Sequence, residues 1–182
     1  MSDNRELLRQ MVIERALSRG SFILASGRES SYYLDGRLVT LSPDGAYLIG
    51  KLMFEIIKDM DVQGVGGLTM GADPVASAIS IVSYLEGKPI PAFLVRKEAK
   101  GHGKGKQVEG PLPENANVVI VEDTVTTGGS PLKAIEVVEA LGCKVVAVLS
   151  LVDRMEGARE ALESRGYNFI PLFTVRDLGI EA

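Results

Sequence analysis

With one cysteine in 182 residues, the chain can form no internal disulfide, which fits a reducing compartment. Cys143 lies between Leu141-Gly142 and the apolar run KVVAVLSLV, the setting of a small buried side chain and not of a reactive thiol. Long apolar runs are missing too. Nothing approaches about 18 consecutive apolar residues, so no membrane-spanning helix is expected. The opening stretch MSDNRELLRQ is charged throughout and lacks the apolar segment of a signal peptide. These features point to the cytoplasm. Nor is positive charge in excess. A net charge of -4 argues against a general nucleic-acid binder, though not against a local basic patch. Internal repeats, linkers and low-complexity tracts are not found.

What is present is ordinary for a globular protein: 46% hydrophobic and 24% charged residues. The length can bury a core without a disulfide or metal staple. Ser2-Asp3 can cap a first helix whose Leu7, Leu8, Met11, Val12 and Ala16 share one face, with Gly20 as its stop. SFILASG and SSYYLDGR read as two short strands around a turn at Gly27-Arg28. Ser42-Pro43 opens a second helix, serine as cap and proline in the first turn.

From there strands and helices alternate. VQGVGGL, PIPAFLV, ANVVIV, KVVAVLSLV and NFIPLFTV read as strands. Helices are expected from Pro74 to about Glu86, from Pro131 to Leu141 with Ser130 as cap, and over EGAREALESRG. Strands apolar on both faces, separated by helices, predict an α/β fold with a mostly parallel central sheet flanked by helices. Ligands of such sheets sit at the carboxyl ends of the strands. The loops TMGADP, RKEAKGHGKGKQ and EDTVTTGGS all follow strands and are expected on that one edge. Residues 1–40 do not fit the alternation and are expected as an N-terminal hood over it, with 41–182 as the core.

The stretch VVIVEDTVTTGGS (118–130) carries the first chemistry. A strand delivers Glu122 and Asp123 to the sheet edge. Successive strand side chains point to opposite faces, so a turn beginning at Thr124 is expected to let both acids face one ligand. Gly128 and Gly129 allow close backbone approach. The helix start at Ser130-Pro131 aims N–H groups at the same spot, which suits a phosphate. Carboxylates repel phosphate, so their partners are vicinal hydroxyls or a magnesium ion. A phosphorylated sugar supplies phosphate and hydroxyls together.

The second informative stretch is RKEAKGHGKGKQVEG (96–110). Arg96, Lys97, Lys100, Lys104 and Lys106 face only Glu98 and Glu109. Gly101, Gly103 and Gly105 interrupt any helix or strand. A cationic loop able to close over an anion is expected. GKGKQ lacks the P-loop spacing, and GVGGLTMG does not give the dinucleotide pattern. His102 is the only histidine.

VVIVEDTVTTGGS resembles the phosphoribosyl-diphosphate motif of type I phosphoribosyltransferases, and RKEAKGHGKG resembles the catalytic loop of the orotate phosphoribosyltransferase family. FILASG, SYYLDGR, GGLTMGADP and LVDRMEG match further segments of that family. The resemblance covers about Phe22 to Arg154 and implies a Rossmann-like core.

The resemblance also implies roles. Glu122 and Asp123 hold the ribose hydroxyls. Thr124, Val125, Thr126, Thr127, Gly128, Gly129 and Ser130 hold the 5′-phosphate. Arg96, Lys97, Lys100 and His102 bind the diphosphate, with Lys100, His102 and Asp123 in catalysis. Thr126 and Arg154 recognise orotate, Arg154 through a bidentate pair with its carboxylate. Tyr33 or its neighbours pack on the base. Magnesium comes mainly with the substrate, with Asp73 acting through water. The pattern departs at Ala25 and Gly71, where some members carry lysine.

The activity so implied is transfer of the 5-phosphoribosyl group from 5-phospho-alpha-D-ribose 1-diphosphate (PRPP) to orotate, in de novo pyrimidine synthesis. The partners implied are these two small molecules and a second copy of the chain, with the 96–110 loop shared across a homodimer. Neither nucleic acid nor membrane is expected. Two alternatives stay open: a phosphoribosyltransferase for another nucleobase, and a PRPP-sensing regulator that binds nucleic acid.

Overall fold

The computed structural model describes residues 2–23, 27, 29–98 and 106–181. Helix α1 (Ser2–Met11) continues into one π-helical turn, Val12–Ala16. Leu8, Met11, Val12 and Ala16 are buried, as their spacing predicts, whereas Leu7 faces outward at 51% exposure.

The helix does not run on to Gly20. Strand β1 (Leu17–Ile23) pairs antiparallel with β2 (Glu29–Leu34), from Leu17 opposite Leu34 to Ile23 opposite Glu29. Gly20 sits where the register slips between Arg19 and Phe22. It marks a bulge and not a helix end, with φ at 156°, a backbone conformation that L side chains rarely adopt. The hairpin is a two-stranded sheet of its own. Its root is tied to the body: Asp35 N donates to Ala16 O at 3.0 Å, and Arg19 Nη2 donates to Gly179 O at 3.0 Å.

A single turn, α2 (Arg37–Thr40), which sequence reasoning missed, leads into α3 (Pro43–Ile57). Ser42 caps α3 as expected, its Oγ accepting from Gly45 N at 3.2 Å. Then follow β3 (Gly64–Leu68), α4 (Ala72–Leu85), β4 (Ala92–Val95), β5 (Val108–Glu109), β6 (Asn117–Val125), α5 (Gly129–Glu139), β7 (Lys144–Asp153), α6 (Ala158–Glu163) and β8 (Phe169–Thr174). Helix α4 begins two residues before Pro74, which a proline in the first turn permits, since its missing N–H has no intrahelical partner there anyway.

The main sheet has the order β5-β4-β3-β6-β7-β8. All pairs are parallel except β4 with β5, a short antiparallel edge not foreseen in the sequence. Both faces are covered. Val119 and Val121 of β6 join Leu8, Ile49, Met53 and Ile79 on the α1, α3 and α4 side. Val118 and Ile120 join Ala134, Ile135, Val138 and Leu162 on the α5 and α6 side. The alternation along β6 is the period-two pattern of a strand buried on both faces. Among the described residues no helix is long and apolar enough to cross a membrane.

The strand order reverses between β3 and β6: β4 lies to one side of β3, and the later strands lie to the other. A crevice opens at the carboxyl ends of such a pair. The chain places its unusual loops there.

Candidate active site

Residues 69–71 after β3, 96–98 after β4 and 126–128 after β6 leave the same edge of the sheet. A cleft of about 290 Å³ opens among them, lined by Leu68 to Gly71, Lys97, Glu122 to Thr124 and Ser130, with Tyr33 to Arg37 of the hood side above. A second hollow of about 410 Å³ is formed by Thr124 to Pro131. The two hollows share Thr124 and Ser130. The acid pair and the glycine turn therefore line adjoining hollows.

Glu122 and Asp123 are not at a turn, contrary to the sequence expectation. Strand β6 runs on through Val125, held by parallel pairing of Glu122 with Ser150 and of Val125 with Asp153. Two glycine positions make the shared cleft possible. At Gly71, a Cβ would collide with the Glu122 carboxylate and lie 2.6 Å from Asp123 Oδ1. At Gly36, it would lie 3.0 Å from Thr124 Oγ1 and 3.3 Å from Asp123 Oδ2. Backbone from the β3 loop and from the hood thus closes directly on the acids.

The acids are dehydrated. Glu122 is 5% exposed and Asp123 is half-buried. Burial pushes Glu122 up to about 8, and the neighbouring negative charge of Asp123 adds to the rise. Burial raises Asp123 as well, against hydrogen bonds from the Thr124 amide and Glu122 and the field of Arg37. Thr124 N donates to Asp123 Oδ1 at 2.7 Å, and Asp123 N lies 3.3 Å from Glu122 Oε1. Thr124 Oγ1 and Asp73 Oδ1 are buried and have no hydrogen-bond partner among the described residues. Burial also raises the Asp73 carboxyl. Orphaned polar atoms beside a cleft call for partners from a ligand.

Ser130 is not the cap of α5. Gly128, in the left-handed region at φ 85°, is the cap, and the helix begins at Gly129. Glycine adopts that conformation without a Cβ penalty, so the helix starts earlier than a serine cap would allow. No side chain caps the first amides of α5. They open on the second hollow, as an anion site requires. Thr126 and Thr127 line the same hollow, while the Val125 side chain is buried in the core and its carbonyl accepts from Arg154 N at 2.9 Å.

Lys97 lines the cleft; Arg96 does not. The Arg96 guanidinium lies 3.4 Å from Glu109 on β5. The two ends of the cationic segment clasp each other: Arg96 N donates to Gln107 O at 2.8 Å, and Gln107 Nε2 donates to Arg96 O at 3.0 Å. Lys100 and His102 lie outside the described residues, as does Ala25. Arg154 lines neither hollow. It sits at the end of β7 under the hood, where its Nε donates to Tyr32 Oη at 3.2 Å. Tyr33 lines the cleft and its ring lies 5.8 Å from that of Phe22.

Sequence reasoning missed Arg37, which lines the cleft and pairs with Asp35 at 2.8 Å. The sequence pattern keeps Asp35-Gly36-Arg37 within the strand SSYYLDGR and gives Arg37 no role. Among the described residues, no group of three or more His, Cys, Asp or Glu side chains could hold a metal ion.

A parallel sheet with its cleft at the switch point, an acid pair at one side and a capless glycine-led helix at the other define a phosphoribosyltransferase. The family model of the phosphoribosyl transferase domain matches residues 42–167. More specifically, the chain belongs to the orotate phosphoribosyltransferase family. It is 48% identical over 179 residues to the orotate phosphoribosyltransferase of Nostoc sp., covering 98% of this chain and 86% of that one. It is 46% identical over 188 residues to that of Rhodopirellula baltica, covering 99% and 97%. Among solved structures, Mycobacterium tuberculosis orotate phosphoribosyltransferase in complex with PRPP superposes with a TM-score of 0.84 at 42% identity, covering 97% of this chain and 99% of that one.

Proposed function

We propose that the chain transfers the 5-phosphoribosyl group of PRPP to N1 of orotate, releasing diphosphate and forming orotidine 5′-phosphate for pyrimidine synthesis. The observation that carries this reading is the adjacency of the acid cleft and the glycine-turn hollow, which share Thr124 and Ser130 as walls. One sugar phosphate spans both. Its 5′-phosphate is held by Thr124 to Ser130 and the first amides of α5. Its 2′- and 3′-hydroxyls donate to Glu122 and Asp123.

As the bond from the anomeric carbon to diphosphate breaks, positive charge grows on the ribose and negative charge on the leaving group. The N1 lone pair of orotate forms the new bond. This chemistry needs placed charge more than a strong base. Lys97, with Lys100 and His102 of the same segment, meets the departing diphosphate. Asp123 fixes the sugar while the anomeric carbon moves. Arg96, paired away from the cleft, suits a role toward a neighbouring subunit. Thr126 and Arg154 select orotate by its amide and carboxylate groups.

The unpartnered Asp73 Oδ1 beside the acid pair offers the hard oxygen donors that magnesium takes. Bound with the diphosphate, the ion would neutralise phosphate charge, with Asp73 reached through water. The working unit is a homodimer in the cytoplasm, and the hood of residues 1–40 covers the base.

The test is diphosphate release measured with orotate, uracil, adenine or hypoxanthine, with and without magnesium. Orotate-dependent, magnesium-dependent release is expected. Turnover with another base and none with orotate would overturn the assignment. A salt-resistant gel shift with nucleic acid and no turnover would favour a regulator.

A further inference from the structure

On the reading of Arg154 given above, we propose that Tyr32 is a positioning residue for orotate recognition: from the hood it holds the Arg154 guanidinium in the pose that receives the base carboxylate. Arg154 stands at the carboxyl end of β7 with its side chain only 10% exposed. A guanidinium so covered must be satisfied by fixed partners. Its root is fixed by the bond from its main-chain N–H to Val125 O. Its head is held from two sides, by Tyr32 of the hood and by Glu156. Arg154 Nε donates to Tyr32 Oη at 3.2 Å, and the guanidinium carbon lies 4.9 Å from the centre of the Tyr32 ring. Glu156 Oε1 is 3.0 Å from the same Nε.

These contacts fall on the inner nitrogen. A carboxylate met end-on is bound through the two outer nitrogens of the fork. Tyr32 therefore orients the arm without competing for its ligand. The tyrosine is itself buried, at 8% exposure, on the inward face of β2. The next residues along that strand, Tyr33 and Leu34, line the cleft. Tyr32 also pairs across the hairpin with Arg19, which is anchored to Gly179 O. At this one level of the hairpin the hood is thus pinned to the body by Arg19 and to the specificity arm by Tyr32. Seating the hood and aiming Arg154 become one event.

The test compares Tyr32→Phe, Arg154→Ala and the double variant in steady-state kinetics. Tyr32→Phe keeps the ring and removes only the hydroxyl, so folding is preserved. It is expected to raise KM for orotate roughly 5- to 10-fold, the scale of one ordinary hydrogen bond. KM for PRPP and kcat are expected to stay within about twofold, since other groups serve them. In the Arg154→Ala background, Tyr32→Phe is expected to add nothing, because the two residues act as one unit. An orotate KM unchanged by Tyr32→Phe but raised by Arg154→Ala would overturn the proposal and leave the reading of Arg154 standing. Additive effects in the double variant would overturn it equally. If Arg154→Ala leaves orotate KM unchanged, the reading of Arg154 fails and the proposal with it.

Discussion

A side chain at Gly71 must displace the Glu122 carboxylate, which its Cβ would strike, while Asp123 Oδ1 lies 2.6 Å from that point. The β3 loop is therefore in van der Waals register with both acids. Gly71→Ala must push the carboxylates aside, and side-chain ends can move without unfolding the chain. Misplacing a reacting geometry by about 1 Å costs on the order of 100-fold. We expect kcat/KM for PRPP to fall roughly 10- to 100-fold with thermal stability nearly kept. Steady-state kinetics beside a melting curve will show it; wild-type kinetics would mean the acids need no such closeness.

Glu122 makes stability depend on pH in an unusual direction. Its ordinary value is 4.5, and burial followed by the charge of Asp123 pushes it up to about 8. Between these values the folded chain keeps a proton that the unfolded chain has released. Stability is then full below about pH 4.5 and is lost as pH rises through 8, at most about 1.4 kcal/mol per pH unit for one proton. The melting temperature of the protein without substrates should fall across that window. Glu122→Gln has no proton to lose there and should flatten the curve. Parallel profiles for the two proteins would contradict the assignment.

Ribose hydroxyls bond best to ionised carboxylates, so PRPP binding should expel that proton near neutral pH. Calorimetry in buffers of different ionisation enthalpy should record proton release that shrinks in Glu122→Gln. Equal proton release in both proteins would place the proton elsewhere.

Lys100 belongs to the cationic segment whose neighbour Lys97 lines the cleft. Placed charge on a leaving group is worth about 100-fold or more in turnover. Lys100→Ala should lower kcat by roughly that factor while orotate binding changes little. Unchanged turnover would remove the lysine from the mechanism.

Ser42→Ala probes the fold alone. It deletes the Oγ that accepts from Gly45 N and that donates to Val39 O at 2.9 Å. Loss of such a cap costs about 1 kcal/mol, or about 2–4 °C in a chain of this size. The catalytic constants should hold; a large loss of activity would show that α3 sets the site.

The sequence disclosed what depends on local pattern. The βα alternation, the Ser42 cap and the joining of an acid pair to a glycine turn are all written in neighbouring residues. What it concealed depends on partners far along the chain. Gly20 looked like a helix end because its bulge exists only against β2. The two residues of β5 carry too little pattern to announce a strand, and only β4 makes them one. Ser130 was the better cap by residue type, yet Gly128 takes the left-handed conformation that a serine resists. Arg37, Gly36 and Gly71 reach the acids through the tertiary fold, and no spacing in the chain betrays it.

The clasp between Arg96 and Gln107 separates two jobs. The sheet floor is locked in register up to that junction by these bonds and by the pairing of β4 with β5. Closure entropy grows only logarithmically, about 0.6 kcal/mol for each doubling of length. Evolution can therefore change how many residues the clasp joins while the sheet floor below it keeps its register.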